Sequence, residues 1–335
     1  VNPDRLRRAP NIAIVGSSSP LGKELKQMIE DSGLPTGKLV LLETEEYAGL
    51  LQEFAGEIQI TQIISPGAFE DVDIAFFACS PEIIDAYAAS GAKFPDLTID
   101  LTQTGRRGTL FLNGFTDPGV LRNSAYVVTP HPAAIALTVV LSALHRSFGV
   151  QAAAATILDP ASERGSAGVD ELQEQTVSLL NFQQVGVRIF EGQLAFNVLS
   201  GGEGAERMEE LIRRQLAEML TDVMTPPTIL TIQAPVFHSH SFCLFVNLRT
   251  APDVSQIQDC IRAARRSMVV HDDPKDLPSP VSVVGTDQIH VGRVSADPHR
   301  PGAYALWLAA DNLRIAAANA LQIAENIMFA PAARP

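Results

Sequence analysis

Asn11-Ile-Ala-Ile-Val-Gly16-Ser17-Ser18-Ser19-Pro20-Leu21-Gly22 is a short apolar run that stops at glycine, followed by a turn of small residues. Leu21 to Glu30 then carries apolar residues at helical spacing. This is a strand, a tight turn and a helix. Lys38 to Glu43, Val72 to Ala78 and Asp96 to Asp100 are further short apolar runs, with a helical stretch from Glu82 to Ser90. The runs are continuously apolar rather than alternating, which fits strands buried on both faces of a parallel sheet. Strands alternating with helices predict a doubly wound α/β domain.

In such a domain the first turn offers backbone N–H groups and a helix N-terminus to a pyrophosphate. Gly16 permits the tight turn and Gly22 lets helix and strand pack closely, while Ser19 stands where closest phosphate approach favours glycine. A glycine-rich loop alone is a weak signal, so a structural turn without ligand is an equal alternative. The second strand ends in Glu43-Thr-Glu-Glu46. A carboxylate there accepts hydrogen bonds from the ribose hydroxyls of NAD, whereas the 2′-phosphate of NADP would meet three acids. The bland alternative is a solvated acidic loop. NAD is favoured over NADP, with binding weak or absent.

Beyond Thr129 to Pro132 the pattern changes. A long apolar helix (Ala133 to Arg146) precedes a strand (Val150 to Leu158), helices at Val169–Asn181 and Glu206–Leu220, and strands at Thr228–Gln233 and Cys243–Arg249. A helix at Val254–Ser267, strands at Gln288–Val294 and Ala303–Ala309, and a terminal helix at Leu313–Met328 complete an α+β second domain. The length of 335 residues suits two domains, and 46% hydrophobic with 19% charged residues is ordinary globular composition. A net charge of −13 disfavours nucleic acid and anionic membranes as partners. Cys79, Cys243 and Cys260 are too few and too scattered for a disulfide framework or a multi-cysteine zinc site, and suit the cytoplasm. The longest apolar stretch, Ala133 to Leu144, is too short to span a bilayer.

The first turn, Asp96 to Arg106, Gly165-Ser-Ala-Gly168-Val-Asp-Glu-Leu172, Leu194-Ala-Phe-Asn-Val198, Gly285-Thr-Asp-Gln-Ile-His-Val-Gly-Arg293 and Ala310-Asp-Asn-Leu-Arg314 together resemble the aspartate-semialdehyde dehydrogenase family across nearly the whole chain. The resemblance implies a Rossmann-type domain at 1–130, a catalytic and dimerisation-type domain at 131–310, a C-terminal helix at 311–335 returning to the first domain, and a homodimer. That family reduces an acyl phosphate to an aldehyde, or runs the reverse with phosphate and NADP. A cysteine thiolate attacks the carbonyl carbon, a histidine moves protons and arginines hold the anionic groups.

Several of those groups are replaced here. Thr129-Pro-His-Pro132-Ala-Ala134 resembles the nucleophile loop, with Pro132 in the cysteine position. Gln233-Ala-Pro-Val-Phe-His-Ser-His240 resembles the segment that carries the substrate arginine and the proton-handling histidine, which puts Gln233 at the former and His240 at the latter. A neutral amide cannot replace a bidentate cationic clamp. Asp159 falls at the active-site glutamine, Leu101 at an asparagine and Glu46 at the arginine that meets the NADP 2′-phosphate. Arg106 is retained as a candidate anion contact, and Asn312 as the residue near the nicotinamide. This pattern resembles the Usg branch of the family and implies a catalytically degenerate protein. The alternatives are a semialdehyde dehydrogenase or reductase using altered NAD(P) chemistry, and a structural partner that binds no small molecule. His238 and His240, at i and i+2 on a strand, share a face and could ligate zinc, but no third ligand is evident and no metal is expected.

Overall fold

The computed structural model describes residues 9–103, 107–122, 124–221, 223–264 and 267–329; Arg106 lies outside them. The chain forms two units, one running to Pro130 and resuming at Ala316, the other spanning His131–Ile315.

The first unit contains β1 (Ile12–Val15), α1 (Pro20–Ser32), β2 (Leu39–Glu43), β3 (Leu51–Phe54), β4 (Glu57–Ile60), β5 (Gln62–Ile63), β6 (Ile74–Phe77), α2 (Pro81–Ala89), β7 (Leu97–Asp100), β8 (Thr109–Leu110) and β9 (Tyr126–Val128). Seven strands form a wholly parallel sheet in the order β5-β2-β1-β6-β7-β9-β8. Every residue of β1, β2, β6 and β7 is buried, as continuous hydrophobicity requires. One face packs Ile12, Ile14 and Phe76 against Leu25 and Ile29 of α1 and against Ala317 to Met328 of the C-terminal helix. The other buries Val15 and Phe77 with Phe69 and Tyr87. Strand order reverses between β1 and β6, the switch point at which doubly wound sheets hold ligands. The antiparallel β3–β4 hairpin stands apart from the sheet and was not legible as one.

The second unit contains α3 (Pro132–Phe148), β10 (Val150–Asp159), α4 (Gly165–Leu180), β11 (Leu199–Ser200), α5 (Glu203–Met219), β12 (Thr228–Gln233), β13 (His240–Leu248), α6 (Val254–Ala263), β14 (Met268–Val270), β15 (Ile289–Ala296), β16 (Ala303–Ala310) and the start of α7 (Asn312–Met328). Its sheet order is β11-β12-β10-β13-β16-β15-β14. Helix α3 is buried from Pro132 to Leu144 and packs against β10, β13, α5 and α6. Burial alternates along β13, so Phe242, Leu244 and Val246 form core while Phe245 faces outward. The helix expected to reach Ser267 ends at Ala263, and Met268-Val-Val270 is a strand. Among the described residues no helix is long and apolar enough to cross a membrane.

Candidate functional site

In the first unit the turn after β1 is built as a ligand loop. Gly16 has φ +81°, and a Cβ there would lie 2.5 Å from the Ala78 carbonyl oxygen. A Cβ at Gly22 would overlap the Gly16 carbonyl. Ser19 is extended (φ −66°), so its position needs no glycine. It caps α1 by accepting from Gly22 N at 2.9 Å and donates to the Ala78 carbonyl at 2.7 Å. Pro20 and Leu21 begin the helix.

Glu43 is held by the loop itself. It is buried, and its Oε1 accepts from the Ser17 hydroxyl at 3.0 Å and from Ser18 N–H. The physical reason is that a buried carboxylate needs donors, and the loop above it supplies them. Gln52 of β3 donates its amide to the Ser17 and Ser18 hydroxyls at 3.0 and 3.1 Å, and Lys26 holds the Gln52 oxygen at 2.9 Å. The backbone shape therefore suits a dinucleotide, while one loop N–H and two hydroxyls are already engaged. Glu45 and Glu46 are exposed on the turn that follows β2.

The second unit gathers a buried polar cluster at the ends of β10, β13 and α3. His131 caps α3: its Nδ1 accepts from Ala133 N at 3.1 Å, and its own N–H donates to Gln215 Oε1 at 2.7 Å. Pro132 takes the first helical position, where no N–H is required. Opposite, His131 Nε2 lies 3.2 Å from Glu163 Oε2. His240 opens β13, fully buried, with Nε2 3.3 Å from Asp159 Oδ1 and 3.5 Å from Glu163 Oε1. Neither ring nitrogen of His240 makes a well-formed hydrogen bond, and Asp159 Oδ1 is likewise without one.

Asn312 locks this arrangement. Its Oδ1 accepts from Ser239 N at 3.0 Å, and its Nδ2 donates to Glu163 Oε1 at 2.8 Å. The amide is 2% exposed and braces the cluster within its own unit. Ser239, held by it, has φ +74°, the left-handed region that a non-glycine residue adopts only when its surroundings impose it. Gln233 donates Nε2 to the Asp159 carbonyl at 2.9 Å.

Charge in the cluster is divided. Burial works to raise the Glu163 carboxyl, but His131 and His240 outweigh it, with hydrogen bonds from His131 and Asn312 adding, and the group falls to about 2. Burial works to lower the His240 imidazolium, but Glu163 and Asp159, helped by Asp311, outweigh it and raise it. The two carboxylates therefore favour the protonated form of the buried His240.

His131, Glu163 and His240 each bring one ligand atom within 4.8 Å of the others, which is a plausible metal set by residue type. The hydrogen bonds in place suit a proton on His131 Nε2. Because His131 Nδ1 accepts the Ala133 N–H, the proton of a neutral ring sits on Nε2, facing Glu163. A metal on Nε2 would drive that proton onto Nδ1, into the N–H it now caps. His238 is not part of the set: it lies in a bend before β13, separated from His240 by the Ser239 turn, so the strand-face argument for the pair does not hold.

The semialdehyde dehydrogenase NAD-binding domain profile matches residues 11–157, and the semialdehyde dehydrogenase dimerisation domain profile matches residues 141–315. The chain belongs to the semialdehyde dehydrogenase family. A USG-1 protein homolog of Azotobacter vinelandii is 30% identical over 332 residues, covering 95% of this chain and 97% of that protein. The crystal structure of aspartate semialdehyde dehydrogenase II from Vibrio cholerae is similar with a TM-score of 0.86 at 25% identity, covering 96% of this chain and 99% of that one. A probable aspartate-semialdehyde dehydrogenase from Pseudomonas aeruginosa gives 0.86 at 26% identity, with coverage of 96% and 99%.

In semialdehyde dehydrogenase terms, the expected nucleophile position carries Pro132, and no cysteine of this chain opens α3. Cys79 follows β6, and burial, then Asp100 and Glu43, push its thiol up, away from thiolate. His131 and Glu163 were missed by sequence reasoning. The one local signal was a histidine directly before a helix-starting proline, a capping position; Glu163 gave none.

Proposed function

We propose that this chain is a homodimeric, Usg-type semialdehyde dehydrogenase homologue that does not perform thiol-mediated acyl transfer. The carrying observation is Pro132 at the first position of α3, a site where a helix N-terminus would activate a thiol and where no nucleophilic side chain stands. Similarity to a USG-1 homolog supports the branch. NAD is the favoured dinucleotide and its binding is weak, because Glu43 already takes the Ser18 N–H and the Ser17 hydroxyl, Gln52 donates to the Ser17 and Ser18 hydroxyls, and three acids crowd the end of β2. The three free cysteines suit a cytoplasmic protein.

A cofactor-reduction assay with aspartate semialdehyde and phosphate tests the reading. The expected outcome is no turnover with either dinucleotide. Turnover of roughly 1–1,000 s⁻¹, the ordinary enzyme range, overturns it. Pro132→Cys should gain a thiol yet no dehydrogenase activity, since a thiol alone does not restore the positioning that the family's arginine gives at the place now held by neutral Gln233.

A second reading rests on the protonated His240. A buried acid between Asp159 and Glu163 can supply the proton that turns an alkoxide into an alcohol, so hydride transfer from NADH to an aldehyde needs no covalent intermediate. Phosphate-independent oxidation of NADH by aldehydes distinguishes it.

A further inference from the structure

Arg164 ends the single helical turn Ala161–Arg164 that follows β10. Its neighbour Glu163 turns inward to the two histidines, while Arg164 lines a cavity of about 220 Å³ together with Asp159, Glu191, Thr231 and Gln233. Among the described residues no hydrogen bond or ion pair engages its guanidinium. Arg164 is exposed, so in the free protein water satisfies its five donors and leaves them available to a ligand.

The side chain is nevertheless seated. At Gly168 of α4 a Cβ would lie 2.4 Å from the Ala161 carbonyl oxygen and 2.6 Å from the Arg164 Cβ. The Arg164 head rests against Gly204 of α5, where a Cβ would lie 2.9 Å from Nη2. Neither glycine has a positive φ, so backbone conformation does not require them; the space does. Gly204 thus leaves room for the guanidinium, while Gly168 first makes room for the Ala161 backbone.

We propose that Arg164 is the carboxylate-binding residue of this chain, supplying from the start of α4 the cation that Gln233 lacks. The inference rests on the family reading above. A planar fork suits bidentate capture of a carboxylate. Gln233 spends its amide nitrogen on the Asp159 carbonyl and keeps its oxygen as an acceptor, and Asp159 and Glu191 add negative charge. The far side of the cavity therefore accepts a donor, and the ligand class is a compact zwitterion with carboxylate and ammonium ends. The volume lies below the ~300–1,000 Å³ of pockets that take drug-sized ligands, which keeps the ligand small.

Thermal-shift and calorimetric titration of the full chain with L-aspartate and with inorganic phosphate provide the test. The expected result is a rise in melting temperature with L-aspartate, reduced tenfold or more in affinity by Arg164→Gln and partly retained by Arg164→Lys. Gly204→Ala gives a second variant that leaves the charge intact: alanine suits the helix, yet its Cβ displaces the guanidinium, so affinity should fall while the unliganded melting temperature does not. The proposal is overturned if Arg164→Gln binds L-aspartate like the unaltered chain, if phosphate alone shifts melting, or if neither does. None of these readouts involves turnover, so a positive phosphate-dependent assay would sink the non-acylating reading and leave this one to be judged on its own.

Discussion

Glu163 sets the charge state of the second unit's buried cluster. Held at about 2 in the fold against an ordinary 4.5, its contribution to stability is present above pH 4.5 and is lost as pH falls toward 2. The raised His240 works oppositely: its contribution is complete below the ordinary 6.5 and is lost as pH rises through the higher folded value. Both are complete only between about pH 4.5 and 6.5, so this cluster stabilises the unit most there. Glu163→Gln leaves His240 without its principal counter-charge, and a broken buried pair of this kind costs about 3–5 kcal/mol. Urea unfolding of both proteins at pH 6 should show that deficit, narrowing at pH 9. A pH-independent deficit would mean that Glu163 acts by packing. Sequence could not supply this pair, because Glu163 meets His131 across 32 residues and no spacing rule joins them.

At the scale of elements, the hairpin β3–β4 and helix α4 each use a buried or half-buried polar side chain to fix a loop. Gln52 of the hairpin is drawn onto Ser17 and Ser18, which joins with Glu43 to occupy the dinucleotide turn. Calorimetric titration in one buffer should find NAD weak and NADP weaker, since like charges a few ångströms apart cost on the order of 1 kcal/mol each before salt screening. Tighter NADP binding would show that the acids at the end of β2 do not face the ribose. In α4, buried Glu171 accepts from Arg188 N and Ile189 N, and Gln175 Oε1 accepts from Leu194 N and Ala195 N, which pins the 186–195 segment. Glu171→Ala should cost roughly 2–4 kcal/mol by orphaning those amides, with faster hydrogen exchange at 188–190 as the check. Long apolar runs such as β10 and α3 were legible because burial imposes a pattern several residues long. The hairpin was not, since Leu51-Gln-Glu-Phe54 and Glu57-Ile-Gln-Ile60 bury little, and β8, β11 and β14 are too short to show a period.

Across the whole molecule the decisive asymmetry is between the two faces of the second sheet. One is sealed by α3, α5 and α6, while the other leaves Leu230 of β12 and Phe245 of β13 about half exposed, 49% and 51%. Register places both beside β10, with Thr156 opposite Leu230 and Ala154 opposite Phe245, so small residues between them make the face flat and apolar. A flat apolar sheet face of this kind is what a symmetric partner covers, and two-fold dimers are the commonest closed assemblies. The same residues belong to the matched dimerisation domain. Light scattering at low micromolar concentration should therefore return twice the chain mass. Phe245→Glu puts a charge at the centre of the face and should shift the protein to monomer, because a desolvated charge without a partner is costly at an interface core. If the unaltered chain has the monomer mass, the homodimer is refuted. If it is a dimer that Phe245→Glu does not weaken, the dimer forms elsewhere and the open sheet face has another occupant.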